Sequence, residues 1–394
     1  MSISSRTHLS IVDLHAGFFL AGMATTLLGP LLPILSNRWD IADAAAGSAF
    51  AIQFVASTTI STLSAVLVVR YGARRTMSAG FVLIALGVAA LAVTPWPWAL
   101  ATIATYGCGL GVVLPTTNFL VAAANPGKES AAVSLVNVSW SAGAVTWPLL
   151  VTWVGTPASV MAPMLLLSAL MLALVVRLQV AGRQPTRAPI APLATVAASP
   201  PIDDAERQPA AVSVALVCIF GALMFLYSGS EAAVGGWISE YVHRLSADAP
   251  WTIAPTIFWG ALSAGRLLTP LLLTIATERT LLVIGLGSAT LALTALVAIP
   301  LVPVALVAAA IIGAGLAPAF PITFAALSRD IGPSRPRLVG PVYAFTGVGS
   351  AMLPWTVGFS SSAVHSLRIA MAVPLAGCAA LLTLSLIRLR IKPL

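Results

Sequence analysis

The sequence predicts an all-α membrane protein that crosses the bilayer twelve times, and three observations carry that prediction. Hydrophobic residues make up 59% of the 394 and charged residues only 8%, where a water-soluble domain carries about a quarter charged. The apolar residues run in continuous blocks of about 20, the length a helix needs to cross a bilayer. They do not alternate along short segments, as the strands of an outer-membrane barrel would. The mean hydropathy, +0.98, agrees.

The twelve spans fall near 11–35, 45–69, 76–95, 98–123, 131–153, 158–180, 211–242, 252–275, 280–300, 303–326, 338–359 and 364–387. Span one runs to "SNRWD", span two to "RYGARR", span three to "TPWPW" and span four to "NPGKES". Span five closes at "VGTPAS", and span six opens into a long polar segment. In the second half the breaks are "RLSADAPW", "TERT", "IPLVP", "SRDIGPSRPR" and "SSSAVHS", and span twelve ends at "RLRIK". The N-terminus lacks the shape of a cleavable signal, so the first helix is expected to stay. Cys108, Cys218 and Cys378 all fall inside predicted spans and read as small apolar fillers, not a disulfide framework.

An even number of spans places both termini on one side. With the termini in the cytoplasm, sixteen of the 20 basic residues lie inside, only Arg38, Arg244 and Arg368 lie outside, and Arg266 falls within a span. Such asymmetry is what the positive-inside rule requires. The net charge of +8 is thereby absorbed by topology, and no nucleic-acid function is read into it. The expected setting is the inner or plasma membrane, multi-pass, with the lipid bilayer as partner and a monomer as the working unit.

Residues 181–210, "AGRQPTRAPIAPLATVAASPPIDDAERQPA", have no apolar period and read as a flexible cytoplasmic linker. They divide the chain into an N-terminal six-helix bundle (1–180) and a C-terminal one (211–394). The halves match weakly at an offset of about 204 to 207 residues: "FFLAG" with "FLYSG", "GLG" with "GAG", "ARRTM" with "TERTL", "SAGAVTWP" with "GVGSAMLP". Four matches in order at nearly one offset indicate an internal repeat. Parallel six-helix repeats about an axis along the membrane normal are the plan of the major facilitator transporters. "RYGARRTM" resembles that superfamily's cytoplasmic signature loop, with Arg70, Gly72, Arg74 and Arg75 in place as a conformational latch. Val69 holds the position of the loop's acid, so Asp13 or another carboxylate would have to supply the charge.

Four segments are similar to one branch of that superfamily, the fucose/glucose–proton symporters: "YSGSEAAVGGW" in span seven, "GLGVVLPTTN" in span four, "SLVNVSWSAGAVTWP" in span five and "FWGALSAGRLLTP" in span eight. The resemblance implies transport of a small polar solute, a monosaccharide above all, by alternating access, with symport as one mode. It does not extend to the family's coupling acids in helices one and four, whose places are taken by Gly29 and Leu114. A proton, if one is moved, must use another group. Sodium as the coupling ion, or no coupling ion, stays open; no other cofactor and no metal is expected.

Two charges stand near the middle of spans, where each costs about 2.5–3.5 kcal/mol on the insertion scale, while the others cluster at span ends or in loops. At about 1.5 Å per residue, Glu231 lies ~16 Å inward from Val242 and Arg266 ~18 Å inward from Ala254. Glu231 is the candidate substrate ligand, its carboxylate accepting hydroxyl hydrogen bonds, and the candidate for proton coupling. The plainer alternative is a fixed Glu231–Arg266 pair that only ties two helices together. Trp237, Trp140 and Trp259 fall inside spans and offer a flat apolar face with one N–H donor, suited to stacking on a pyranose; packing is their other reading. Asn118, Asn137 and Gln53 add amides that hydrocarbon cannot satisfy, as substrate ligands or as bonds between helices. Pro115, Pro318 and Pro321 are expected to kink their spans.

An enzyme is the weakest alternative. None of the four histidines has carboxylate or cysteine partners at ligand spacing. An exporter of drugs or other amphiphiles on the same plan is the stronger rival, because fold alone does not separate it from a sugar carrier.

Overall fold

The computed structural model describes residues 9–126, 128–154, 161–181, 210–330 and 339–390. Apart from its first and last residues, the expected linker lies outside them. Every regular element among the described residues is an α-helix, and helices occupy all twelve expected places. Spans two to six are Asp43–Tyr71, Ala73–Leu91, Ala99–Ala124, Glu129–Val154 and Met161–Ala181. Spans seven, eight, nine and eleven are Ala210–Leu245, Ile253–Leu272, Glu278–Ala298 and Val339–Val364.

The other three spans are interrupted, each next to a proline. Span one is Ile11–Thr25 and Leu28–Trp39, bent by 40°, where one continuous helix was expected over 11–35. Pro30 has no N–H for the carbonyl of Thr26, and Pro33 none for that of Gly29, so the ladder fails in that turn. Span ten is Val302–Leu316 and Ala319–Asp330, broken where Pro318 and Pro321 predict a kink. Span twelve is Leu367–Ala370 and Ala372–Arg390, parted above Pro374. Pro115, by contrast, sits inside an uninterrupted helix.

Among the described residues, eight helical stretches are by themselves long and apolar enough to cross a membrane, and the bent pair of span one makes nine. The remaining places are spans five, eight and eleven. Span five carries Asn137 and several hydroxyls, span eight carries Arg266, and span eleven is diluted by glycine, serine and threonine.

By packing, the chain forms two compact units that cut across its sequence halves. Unit one holds Met1–Thr25, Ala56–Gly143 and Met161–Ala210, and unit two holds Thr26–Val55, Ala144–Val160 and Ala211–Leu394. Within each unit the helices meet at glycines. In unit one, a Cβ on Gly143 would stand 1.9 Å from the carbonyl oxygen of Phe19, and one on Gly109 would stand 2.5 Å from that of Gly80. In unit two, a Cβ on Gly349 would stand 2.1 Å from the carbonyl oxygen of Phe225, and one on Gly315 would stand 2.3 Å from that of Gly285. Each of these four residues of unit one has its counterpart in unit two 205 or 206 positions later. The repeat seen in sequence is therefore also a repeat of backbone contacts, each of which excludes any residue larger than glycine.

Candidate functional site

Glu231 and Arg266 meet. Counted from Leu245 and Ile253, the helix ends that flank their connecting loop, they sit about 21 and 20 Å along their helices, hence at one depth. Arg266 Nη2 donates to Glu231 Oε2 at 2.7 Å. A third group completes the cluster: the hydroxyl of Tyr227 donates to the same carboxylate oxygen and accepts from Arg266 Nη2 at 2.6 Å. Tyr227 precedes Glu231 by four residues, the spacing that places two side chains on one helix face. A tyrosine in an apolar helix is ordinary by itself, and only this spacing, visible in "YSGSE", marks it in the sequence.

The pair is not sealed. The side chains of Arg266 and Glu231 are 28% and 13% exposed. Arg266 Nε is without a hydrogen bond, and Glu231 Oε1 takes no part in the bonds that hold Oε2. Beside the cluster runs an aromatic row. The Tyr227 ring lies 5.7 Å from that of Phe320, which stacks on Phe324 at 5.9 Å and 16°, and Phe324 meets Tyr343 edge-on at 6.4 Å. Tyr343 is 51% exposed and within electrostatic reach of both Arg266 and Glu231.

Trp237 and Trp259 are packed inside unit two. Trp237 is fully buried, its indole N–H donating to the carbonyl of Pro354 at 2.9 Å and its ring beside Phe50. Trp259 is buried against Phe258, and a Cβ on Gly235 would press on its ring. Gln53 is buried as well.

In unit one, Asn137 Nδ2 donates to Asn118 Oδ1 at 3.1 Å and to the carbonyl of Val133 at 2.8 Å, so the two amides serve each other across spans four and five. Trp140 Nε1 reaches Thr25 Oγ1 at 3.4 Å, and the residue before it, Ser139, shares through its Oγ a hydrogen bond of 2.8 Å with His15 Nδ1. In the loop between spans two and three, Gly72 adopts a φ of +83°, a conformation costly for a residue with a Cβ. Arg70 lies over the ring of Tyr71, and Arg74 Nε and Nη1 are buried without a partner among the described residues. Asp13 does not supply the missing acid: its buried carboxylate is taken by Arg177 of span six. The corresponding loop of unit two keeps an acid, Glu278, paired to Arg329 at 2.9 Å.

Unit two holds a second charged cluster where span two begins and spans seven and eleven end. Arg244 grips Asp43 with both terminal nitrogens, at 2.8 and 2.5 Å, and Glu240 with Nε at 2.7 Å. Ser361 Oγ donates to Asp43 at 2.5 Å, and the amide of Ala44 donates to Ser362 Oγ at 2.9 Å. Span two lies here directly on span eleven, since a Cβ on Gly358 would stand 2.3 Å from the carbonyl oxygen of Asp43.

Comparison with known proteins places this architecture. The chain is similar in fold to a bacterial homologue of the human lysosomal transporter Spinster, with a TM-score of 0.75 and 12% identity over 96% of each chain. It is also similar to the nucleoside transporter NupG, with a TM-score of 0.73 and 14% identity over 96% of this chain and 98% of that one. A variant of the E. coli fucose:proton symporter FucP matches with a TM-score of 0.62 and 17% identity over 96% and 98%. No curated protein sequence matches the chain. The sequence profile of the Major Facilitator Superfamily matches residues 14–354, so the chain belongs to that superfamily and is a multi-pass membrane transporter, not an enzyme.

Proposed function

We propose that the solute is small and polyhydroxylated, a monosaccharide first of all, that Tyr227, Glu231 and Arg266 bind it, and that access to them alternates as the protein rocks. The observation that carries this is the partial exposure of a mid-span ion pair. Hydrocarbon does not solvate such groups, so what they meet is water or a polar passenger. An ion pair serving only to join spans seven and eight has no use for that exposure. Glu231 is also the proton carrier in this reading: protonation cancels its charge and releases Arg266 toward the solute. Trp140, Asn118 and Asn137 are proposed as further solute ligands. The distribution of basic residues supports cytoplasmic termini; the inner or plasma membrane and a monomeric working unit are part of the same proposal.

The aromatic row from Tyr227 to Tyr343 supports a second reading, a solute that joins a sugar to a planar ring. NupG, similar in fold, is a nucleoside transporter. Uptake into proteoliposomes, with radiolabelled monosaccharides and nucleosides in parallel, decides between them. Wild type is compared with Glu231→Gln, with and without a pH gradient. Gradient-driven accumulation that the variant loses while retaining counterflow exchange assigns proton coupling to Glu231. Exchange indifferent to the gradient in both proteins ends the coupling proposal. Transport of neither solute class, with export of amphiphiles instead, refutes the reading of the site.

A further inference from the structure

Away from that site, unit one carries a groove of about 370 Å³ between spans one and six. Ala16, Phe19 and Leu20 line one wall and Ala173 and Leu174 the other, with Arg177 at the end. Ala16 and Ala173 are exposed, and it is their small side chains that open the slot. The volume is at the lower end of the range for small-molecule pockets, about 300–1,000 Å³, and holds a segment of one acyl chain.

Arg177 gives the groove a polar head. Its Nε is held by the buried carboxylate of Asp13, yet 61% of the side chain is exposed. Its two terminal nitrogens make no hydrogen bond among the described residues. Arg177 stands four residues before Ala181, the end of its helix, or about 6 Å. Asp13 stands two residues after Ile11, where span one begins. A fixed cation thus sits at headgroup depth, directly above an apolar slot in a protein surrounded by lipid. Pairing with Asp13 holds the guanidinium at the mouth of the slot, where an unpaired arginine would snorkel freely.

We propose that this groove binds one anionic phospholipid, its acyl chain lying between spans one and six and its phosphate accepting from the terminal nitrogens of Arg177. A planar guanidinium donating two parallel hydrogen bonds matches a phosphate diester. The positive-inside orientation puts this end in the cytoplasmic leaflet, where anionic lipid concentrates.

Native mass spectrometry of the detergent-purified full chain tests the proposal, with phosphatidylglycerol and phosphatidylcholine of identical chains supplied in equal amounts. One arginine near an anionic lipid favours it by about fivefold, and that is the expected ratio of first adducts. Ala173→Leu and Ala16→Leu fill the slot from opposite walls without touching the Arg177–Asp13 pair, and both should abolish the retained adduct. Arg177→Gln should bring the ratio to about one, and Arg177→Lys should keep most of the preference, which separates lost charge from misfolding. Equal retention of the two lipids by wild type overturns the proposal. So does an adduct that survives both leucine variants, since the lipid would then be bulk annular lipid.

Discussion

Replacing Asp43 by Asn should open the end of the protein at which spans two, seven and eleven meet. Asp43 receives both terminal nitrogens of Arg244 and the hydroxyl of Ser361. Asparagine keeps the size and one acceptor but loses the charge. Arg244 is 41% exposed and retains Glu240, so the contact is worth less than a sealed pair, about 1–2 kcal/mol after allowing for screening. A closed state that loses this much loses roughly 5- to 30-fold in population relative to the open one. Arg244→Gln should cost more, because it leaves Asp43 and Glu240, both mostly buried, as two carboxylates without a cation. The double variant should recover part of what Arg244→Gln loses, since Asp43→Asn removes one of the two carboxylates left without a cation. The readout is maleimide labelling of Ala46→Cys, a buried position on span two, in a background lacking Cys108, Cys218 and Cys378. When opening and closing are faster than labelling, the rate follows the open population. A labelling rate within twofold of wild type for Asp43→Asn refutes the reasoning, and so does strict additivity in the double variant.

Further outcomes follow from single contacts. Gly143→Leu drives a side chain into the carbonyl of Phe19 and should lose about 3 kcal/mol or more of stability. Gly287→Ala, with nothing within 4 Å, should be neutral or gain up to about 1 kcal/mol; thermal unfolding in detergent measures both. Gly72→Ala should cost roughly 1–3 kcal/mol, because a φ of +83° with a ψ of 152° is a backbone conformation essentially restricted to glycine, visible as a lower Tm with unchanged solute affinity. Trp237→Phe removes the donor to Pro354 and should lower stability by about 1–3 kcal/mol while leaving the KM for solute within twofold. A tenfold rise in KM would return Trp237 to the stacking role its sequence position suggests.

The spans were legible because hydropathy and punctuation are local properties, and prolines located the break in span ten. The break in span one was not anticipated, although Pro30 and Pro33 stand in plain view, because the residues around them are apolar enough to hide it. Glu231 and Arg266 stood out for a physical reason: charge inside a span is rare because it is costly. Tyr227 did not, since a tyrosine in an apolar helix is ordinary, and only its four-residue spacing from Glu231 could have singled it out. Trp237 and Trp259 show the limit of such marks. Size and position mark them, but what a ring faces is decided by the neighbouring helix. For Trp237 that neighbour is the carbonyl of Pro354 and the ring of Phe50, a long-range arrangement no local pattern encodes.

The repeat explains why chemistry should be sought in differences between the units. Gly143 on Phe19 and Gly349 on Phe225 are the same contact made twice. So are Gly109 on Gly80 and Gly315 on Gly285. Such contacts leave no volume for a side chain, so they resist divergence wherever helices must stay close. Side chains pointing away from them carry no such constraint, and there the halves part. Between spans one and six, Asp13 pairs with Arg177. Between the corresponding spans seven and twelve, Arg388 lies over the ring of Phe220 instead. Tyr227, Glu231 and Arg266 have no charged counterparts about 206 positions earlier, where Ala21, Thr25 and Ile60 stand. A duplicated frame that keeps its helix contacts and, among the described residues, puts a partly exposed mid-span ion pair in unit two alone points to a demanding polar function there. The solute's most specific contacts are therefore to be expected on spans seven and eight.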